Sequence, residues 1–335
     1  MCRILAFASP TAATFSSVLG ERTTTQFQML ARVHGDGWGA MWLADGVGGT
    51  SLRRFRAGHN GRYDEGLSRA FAVPAARAGA AHLRMATGGL SVRVTNSHPF
   101  VDRGVGLVHN GTISPLTDLR ALVVPESLGR LRGTTDSEMY LIMVTDRMRA
   151  GVPFLDAVRD TVATLRAAFP TASLNAVLLS HTHMVVVHSS THAIVPTEHF
   201  RGRLLPGEEL PPQHDAGYYL IRRRRAADGT LAYASSGFDQ SGWDVLPLDS
   251  MAIIELGTMI ETLEAVAPAR APTTTGPTPD TTGTPETPVA PDATVAPDRM
   301  VAAGATLMGS SGPWPGGEPA GGTRRVPQPV RGVTT

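Results

Sequence analysis

The chain has 335 residues, 42% of them hydrophobic and 18% charged, which is enough to bury a sizeable core in one large domain or two ordinary ones. A formal net charge of +1 gives no bulk electrostatic case for nucleic acid or an anionic membrane, and the absence of lysine excludes lysine-based catalysis. The single cysteine excludes internal disulfides and fits a reducing compartment. With no signal-peptide pattern and no apolar run of about 18–20 residues, a cytoplasmic location is expected.

In chain order, Cys2–Ala8 is apolar on both pleat faces and predicts a strand covered on both sides. Phe15–Val33 reads as a helix. Trp38–Ala44 and Ser51–Ala57 flank a Gly-rich turn and read as a hairpin, and Tyr63–Phe71 is weakly helical. Gly79–Ala86 and Val105–His109 read as strands, and Pro115–Val123 as a helix opened by its proline. Thr135-Asp136-Ser137-Glu138 fits a capping box, with Thr135 as N-cap and Glu138 reaching back. Met139, Ile142 and Met143 follow at helical spacing. Phe154–Phe169 is a further helix, Asn175–Ser180 and Met184–Ser189 a hairpin, and Gly217–Arg223, Leu231–Ser235 and Ala252–Glu255 are strands. Antiparallel strands and helices in consecutive runs point to layered sheets with helices outside. From Pro268 onward Pro, Thr, Gly, Ala and Val dominate, so a folded domain over 2–267 and a disordered tail over 268–335 are expected.

Cys2 follows Met1 directly, and its small side chain suits methionine removal. A chain beginning with Cys carries a thiol nucleophile and, on the same residue, an amine that can accept its proton. Four further features sit at strand ends or helix starts: Asp36-Gly37-Trp38-Gly39, Arg84-Met85-Ala86-Thr87-Gly88-Gly89, His109-Asn110-Gly111 and Thr135-Asp136-Ser137-Glu138. Singly each has an ordinary reading: Asn-Gly and Asp-Gly make tight turns, an arginine after a strand makes a surface ion pair, and Asp136 complements a helix dipole.

Six motifs occur in order: Met1-Cys2-Arg3, His34-Gly-Asp-Gly-Trp-Gly39, His82-Leu-Arg-Met-Ala-Thr87, Asn96-Ser-His-Pro-Phe100, Val108-His-Asn-Gly111 and Thr134-Thr-Asp-Ser-Glu138. With them the chain resembles, over roughly residues 2–260, the class II glutamine amidotransferases, and most of all their stand-alone, YafJ-like type. The resemblance implies an α+β fold, a four-layer αββα sandwich of two antiparallel sheets of the N-terminal-nucleophile hydrolase type. It implies hydrolysis of the γ-carboxamide of glutamine through a thioester on Cys2. The Asn110 amide and the Gly111 N–H would meet the oxyanion, and the Cys2 α-amine would pass a proton to the leaving ammonia. Arg84 would hold the substrate α-carboxylate, Thr87 would add contacts beside it, Asp136 would hold the α-ammonium, and His98 would line the site. Met85 and Gly88 stand where some relatives carry an aromatic and a histidine.

No cofactor or metal is expected; His181, His183 and His188 share a hairpin without a convincing ligand spacing. No synthase domain is recognisable, so ammonia would be released or passed to a separate ammonia-accepting synthetase. Neither nucleic acid nor membrane is expected as a partner, and the Arg222–Arg225 run reads as a solvated hairpin arm. Two other functions stay open: hydrolysis of another γ-glutamyl amide, as in a relative from ergothioneine biosynthesis, and a non-catalytic regulatory or scaffold role.

Overall fold

The computed structural model describes residues 2–46, 49–86 and 91–266. The expected tail over 268–335 and Thr87 lie outside the described residues. Strands are β1 (Arg3–Ala13), β2 (Trp38–Ala44), β3 (Ser51–Ala57), β4 (Ala76–Leu83), β5 (Phe100–Asp102), β6 (Val105–Asn110), β7 (Asn175–Leu179), β8 (His183–His188), β9 (Ile221–Arg225), β10 (Leu231–Ser235), β11 (Asp244–Val245), β12 (Ser250–Glu255) and β13 (Ile260–Ala265). Helices are α1 (Phe15–Leu19), α2 (Glu21–Met29), α3 (Glu65–Ala72), α4 (Leu116–Leu122), α5 (Asp136–Arg149), α6 (Phe154–Ala168) and α7 (Thr197–Arg201). Among the described residues, one sheet runs β11-β9-β10-β1-β4-β2-β3 and the other β13-β12-β8-β7-β6-β5, with all pairings antiparallel.

The period of two along each strand sorts the core into layers. From β1, Leu5 and Phe7 join Phe15, Phe27 and Phe71 of α1–α3, while Ile4, Ala6 and Ala8 face the other way. These three meet Val108 of β6, Val177 of β7 and Val186 of β8 between the sheets. Leu107, Leu178 and Val185 of the second sheet point outward onto Ile142 of α5 and Val162 of α6. The order is therefore helices, sheet, sheet, helices, the αββα sandwich expected. Strands apolar on both faces are the sequence mark of this double cover.

Several expectations change in detail. The helix expected over Phe15–Val33 is broken at Gly20, which takes φ +89° and closes α1 before α2 begins. β1 continues to Ala13, beyond the apolar run. Thr135 does cap α5, its Oγ1 accepting from Glu138 N at 3.2 Å. The reciprocal half of the box is redirected, because Glu138 accepts instead from the N–H groups of Arg132 (3.1 Å) and Gly133 (2.7 Å). The arginine run is strand β9 and is anchored: Arg223 and Arg225 both donate to Glu261 at 2.9 Å, and Arg224 lies 5.0 Å from the Trp243 ring centroid. Period two sends alternate arginines to opposite faces, and each face supplies partners. β5, α7, β11 and β13 were not expected; β13 is largely exposed and pairs only at the sheet edge, so no buried periodicity marks it.

Gly39 shows how tightly the first sheet is packed against the loop leading to β5. A Cβ there would lie 2.2 Å from the His98 carbonyl oxygen and 2.7 Å from that of Phe55, both backbone atoms. Gly39→Ala should therefore destabilise the fold by at least about 1–3 kcal/mol in urea denaturation. Gly129→Ala, whose added carbon meets open space, should stay within about 0.5 kcal/mol of wild type.

Candidate active site

Antiparallel pairing gathers the motifs. Arg3 pairs with Leu83, so the start of β1 meets the end of β4, and Trp38 pairs with the same Leu83, which adds the start of β2. Across the sheet interface, β6 ends at Asn110. Cys2 sits at this convergence, 5% exposed. Its backbone nitrogen donates to Asn110 Oδ1 at 3.0 Å, and its Sγ lies 4.0 Å from the Met85 carbonyl oxygen.

The Cys2 carbonyl is held from the other side. It accepts from Arg3 Nε at 2.6 Å and from Tyr218 Oη at 3.2 Å. The Arg3 guanidinium is fully buried without a carboxylate partner among its hydrogen bonds. It donates to the Ser236 carbonyl and hydroxyl, both at 2.8 Å, and lies 3.7 Å from the Tyr218 ring centroid. Carbonyl dipoles and a ring face thus replace its hydration. Arg3 stood in a quoted motif without a role, and Tyr218 and Ser236 were missed. The one sequence signal was an arginine opening an apolar strand.

Asn110 is divided in function. Its Oδ1 is engaged by Cys2, whereas Nδ2 is buried and has no partner. A buried N–H group left unpaired costs about 1–3 kcal/mol, a debt that an arriving acceptor removes. Next to it, a Cβ on Gly111 would fall 1.8 Å from the Ser173 carbonyl oxygen, so only glycine fits. His109 Nε2 donates to that same carbonyl at 2.9 Å, which leaves Nδ1 to accept from Ser137 Oγ at 2.9 Å. This ties β6 to the first turn of α5. There Asp136, 8% exposed, accepts from Ile113 N at 2.8 Å and Ser137 N at 2.9 Å.

Arg84 is buried at the end of β4, its Nη1 donating to the Asp36 carbonyl at 3.2 Å. Burial holds its pKa below the usual arginine value, while negative charge at Cys2, Asp36 and Asp136 works the other way. Arg84 and Asp136 thus stand as opposite charges within electrostatic reach of each other. Asp36 organises this edge. It accepts from Ala86 N at 2.8 Å and binds Arg203 through two hydrogen bonds of 2.9 and 2.8 Å. Arg203, 167 residues away in sequence, left no local signal. Trp38 of the same motif is fully buried in the core and donates to Asp64 at 2.7 Å.

Two histidines complete the surroundings of the thiol. His82 Nε2 donates to the His109 carbonyl at 3.1 Å, and its Nδ1 has no hydrogen-bond partner. His98 lies against His82 with centroids 3.8 Å apart and the rings tilted by 35°, and neither of its ring nitrogens is hydrogen-bonded. Burial, helped by His82, His109, Arg84 and Arg56, pushes His98 well below the usual histidine range, so it is neutral. His98, expected to line the site, has a ring nitrogen within 4.8 Å of Cys2 Sγ; His82 was quoted only as part of a motif.

Residues 1–204 match the model of the class-II glutamine amidotransferases, and the chain belongs to that family. It is 38% identical over 97 residues to a glutamine–fructose-6-phosphate aminotransferase of Brucella suis, covering 29% of this chain and 16% of the relative. A protein of the same description from Bradyrhizobium diazoefficiens is 32% identical over 145 residues, covering 43% of this chain and 23% of the relative. The chain thus spans less than a quarter of the length of these curated relatives. A glutamine aminotransferase class-II domain protein of Silicibacter pomeroyi superposes with a TM-score of 0.52 at 17% identity, over 80% of this chain and all of the other. The glutamine phosphoribosylpyrophosphate amidotransferase of Bacillus subtilis gives 0.52 at 15%, over 79% of this chain and 49% of the other. At such identities the superpositions show a shared fold. No helix among the described residues is long and apolar enough to cross a membrane.

Burial alone would push the Cys2 thiol up; in the chain that still carries Met1, the positive amine at residue 1 and then His82 outweigh it and bring it from 9.0 down to about 5. The thiolate is the base form, so it dominates above that pH. The rate of alkylation by iodoacetamide should rise to half its plateau near pH 5 and stay flat toward about pH 8, with Cys2 the only cysteine to read. A rate still climbing between about pH 7 and 9, as an ordinary thiol's does, would contradict this electrostatic setting.

Proposed function

We propose that the chain is a glutaminase whose nucleophile is Cys2, made N-terminal by loss of Met1, and that its catalytic domain is residues 2–267, working in the cytoplasm. The observation that supports this most is the Asn110 amide, with its oxygen turned to the Cys2 nitrogen and its buried N–H group free to meet an anion.

The Cys2 amine takes the thiol proton, and sulfur attacks the γ-carboxamide carbon. The C–S bond forms as the carbonyl π pair moves onto oxygen. That oxyanion accepts from Asn110 Nδ2 and the Gly111 N–H, donors fixed before reaction and therefore effective without reorganisation. The tetrahedral intermediate collapses, the C–N bond breaks, and the amine returns its proton to the leaving ammonia. Water then hydrolyses the γ-glutamyl thioester to glutamate and free thiol. Arg84 receives the substrate α-carboxylate and Asp136 its α-ammonium, the flanking charges a free amino acid requires. Thr87 is assigned contacts beside the carboxylate, and His98 lines the site. Ammonia leaves to solvent or to a separate synthetase.

Glutamine-dependent ammonia release should vanish in Cys2→Ala. Asn110→Ala should lower kcat about 10²–10³-fold. Asp136→Asn should raise KM for glutamine more than it lowers kcat, the pattern of lost ground-state binding. Removal of residues 268–335 should leave activity unchanged. Activity surviving in Cys2→Ala would overturn the reading, and faster turnover of larger γ-glutamyl amides than of glutamine would reassign the substrate.

A further inference from the structure

Three potential metal ligands surround the thiol: Cys2 Sγ and one ring nitrogen each from His82 and His98, all within 4.8 Å of one another. The three residues are 5%, 0% and 3% exposed. The reaction proposed above uses only the sulfur, and it leaves three buried ring nitrogens with no hydrogen-bond partner: His82 Nδ1 and both nitrogens of His98. Such atoms normally find a donor, an acceptor or an ion. His82 also has the outer support that metal-binding histidines use, since its Nε2–H is spent on the His109 carbonyl at 3.1 Å and Nδ1 is left facing inward as the lone-pair nitrogen.

We propose that Cys2, His82 and His98 form a capture site for a thiophilic divalent cation of the zinc type, which blocks the nucleophile reversibly. Cysteine thiolate and histidine imidazole are both ordinary zinc ligands, and three protein ligands leave the fourth tetrahedral position to water. Zinc bond lengths place ligand atoms about 3.3–3.6 Å apart, so closure from 4.8 Å requires side-chain movement of about an ångström. Cysteine binds a metal as its thiolate, so capture displaces the proton of whatever fraction of Cys2 is still thiol; no electron transfer is involved. The hard-cation alternative fails on chemistry, because magnesium and calcium take oxygen ligands. While the ion is held, the sulfur lone pair is engaged and cannot attack a carbonyl. Metal capture and catalysis compete for one atom, yet the capture site does not depend on the glutaminase reading.

The test uses the full chain, stripped with a chelator, and reads binding without substrate. Zn²⁺ should bind at one ion per chain in equilibrium dialysis, and Co²⁺ in its place should show sulfur-to-metal charge-transfer absorption with the strong visible bands of a tetrahedral site. Cys2→Ser and His98→Gln should each weaken Zn²⁺ binding by at least the roughly 10–100-fold that loss of an outer hydrogen-bond partner costs a metal site. Should a variant fail to fold, wild type gives an independent reading: Zn²⁺ should protect Cys2, the sole cysteine, from alkylation, and a chelator should restore reactivity. No stoichiometric binding, affinity unchanged in both variants, or alkylation indifferent to Zn²⁺ would overturn the proposal, whatever the activity on glutamine.

Discussion

The hydrogen bond from Cys2 N to Asn110 Oδ1 is the contact on which the site depends. Cys2 opens the central strand of one sheet, and Asn110 closes a strand of the other. The bond is therefore also a joint between the two sheets of the sandwich. It forms only because apolar faces of β1 and β6 hold the sheets in contact, with Ile4 and Val108 in the shared core. A slip of one residue in β1 would turn Leu5 and Phe7 toward the wrong layer, so the hydrophobic pattern that fixes the register also fixes the thiol.

Around that joint the protein has buried an unusual amount of polarity. Arg3, His82, Asn96, His109 and Asn110 are fully buried, and Arg84 and His98 nearly so. Most of these groups are held by backbone carbonyls or by one another: Arg3 by Ser236 and Tyr218, His109 by Ser173 and Ser137, Arg84 by Asp36. Such a network is costly unless satisfied, and rigid when it is. Among the groups around the joint, some atoms are left without a partner. Asn110 Nδ2, His82 Nδ1 and both His98 nitrogens are unpartnered close to Cys2. Around the joint, polar side chains hold the backbone in place, while these four nitrogens beside the Cys2 thiol stay open.

The sequence exposed much of this, for a physical reason. Cys2, Arg84, Asn110 and Asp136 lie at ends of strands or at a helix start, where chemistry-bearing residues stand out against apolar periodic runs. The layered sandwich was legible in strands apolar on both faces. What stayed hidden came from the far part of the chain. Arg203, Tyr218 and Ser236 reach the site by folding back over more than 160 residues, and no local spacing encodes such a return. Gly20 interrupted a helix whose flanking residues read as continuous, and Glu138 binds the N–H groups at 132 and 133 in place of its expected partner, a turn of the preceding loop that local spacing does not encode. The arginine run misled because composition alone does not show that a strand offers each face its own acceptors.

The central claim is that Cys2 is a processed nucleophile inside a pocket shaped for a γ-glutamyl group. It is tested most directly by intact mass after exposure to 6-diazo-5-oxo-norleucine, an electrophile built on the glutamine skeleton, with Cys2→Ala alongside. The account predicts one adduct on a chain lacking Met1, suppressed by excess glutamine and absent from the variant. A chain that retains Met1, or an adduct that forms equally well without the Cys2 thiol, would contradict it.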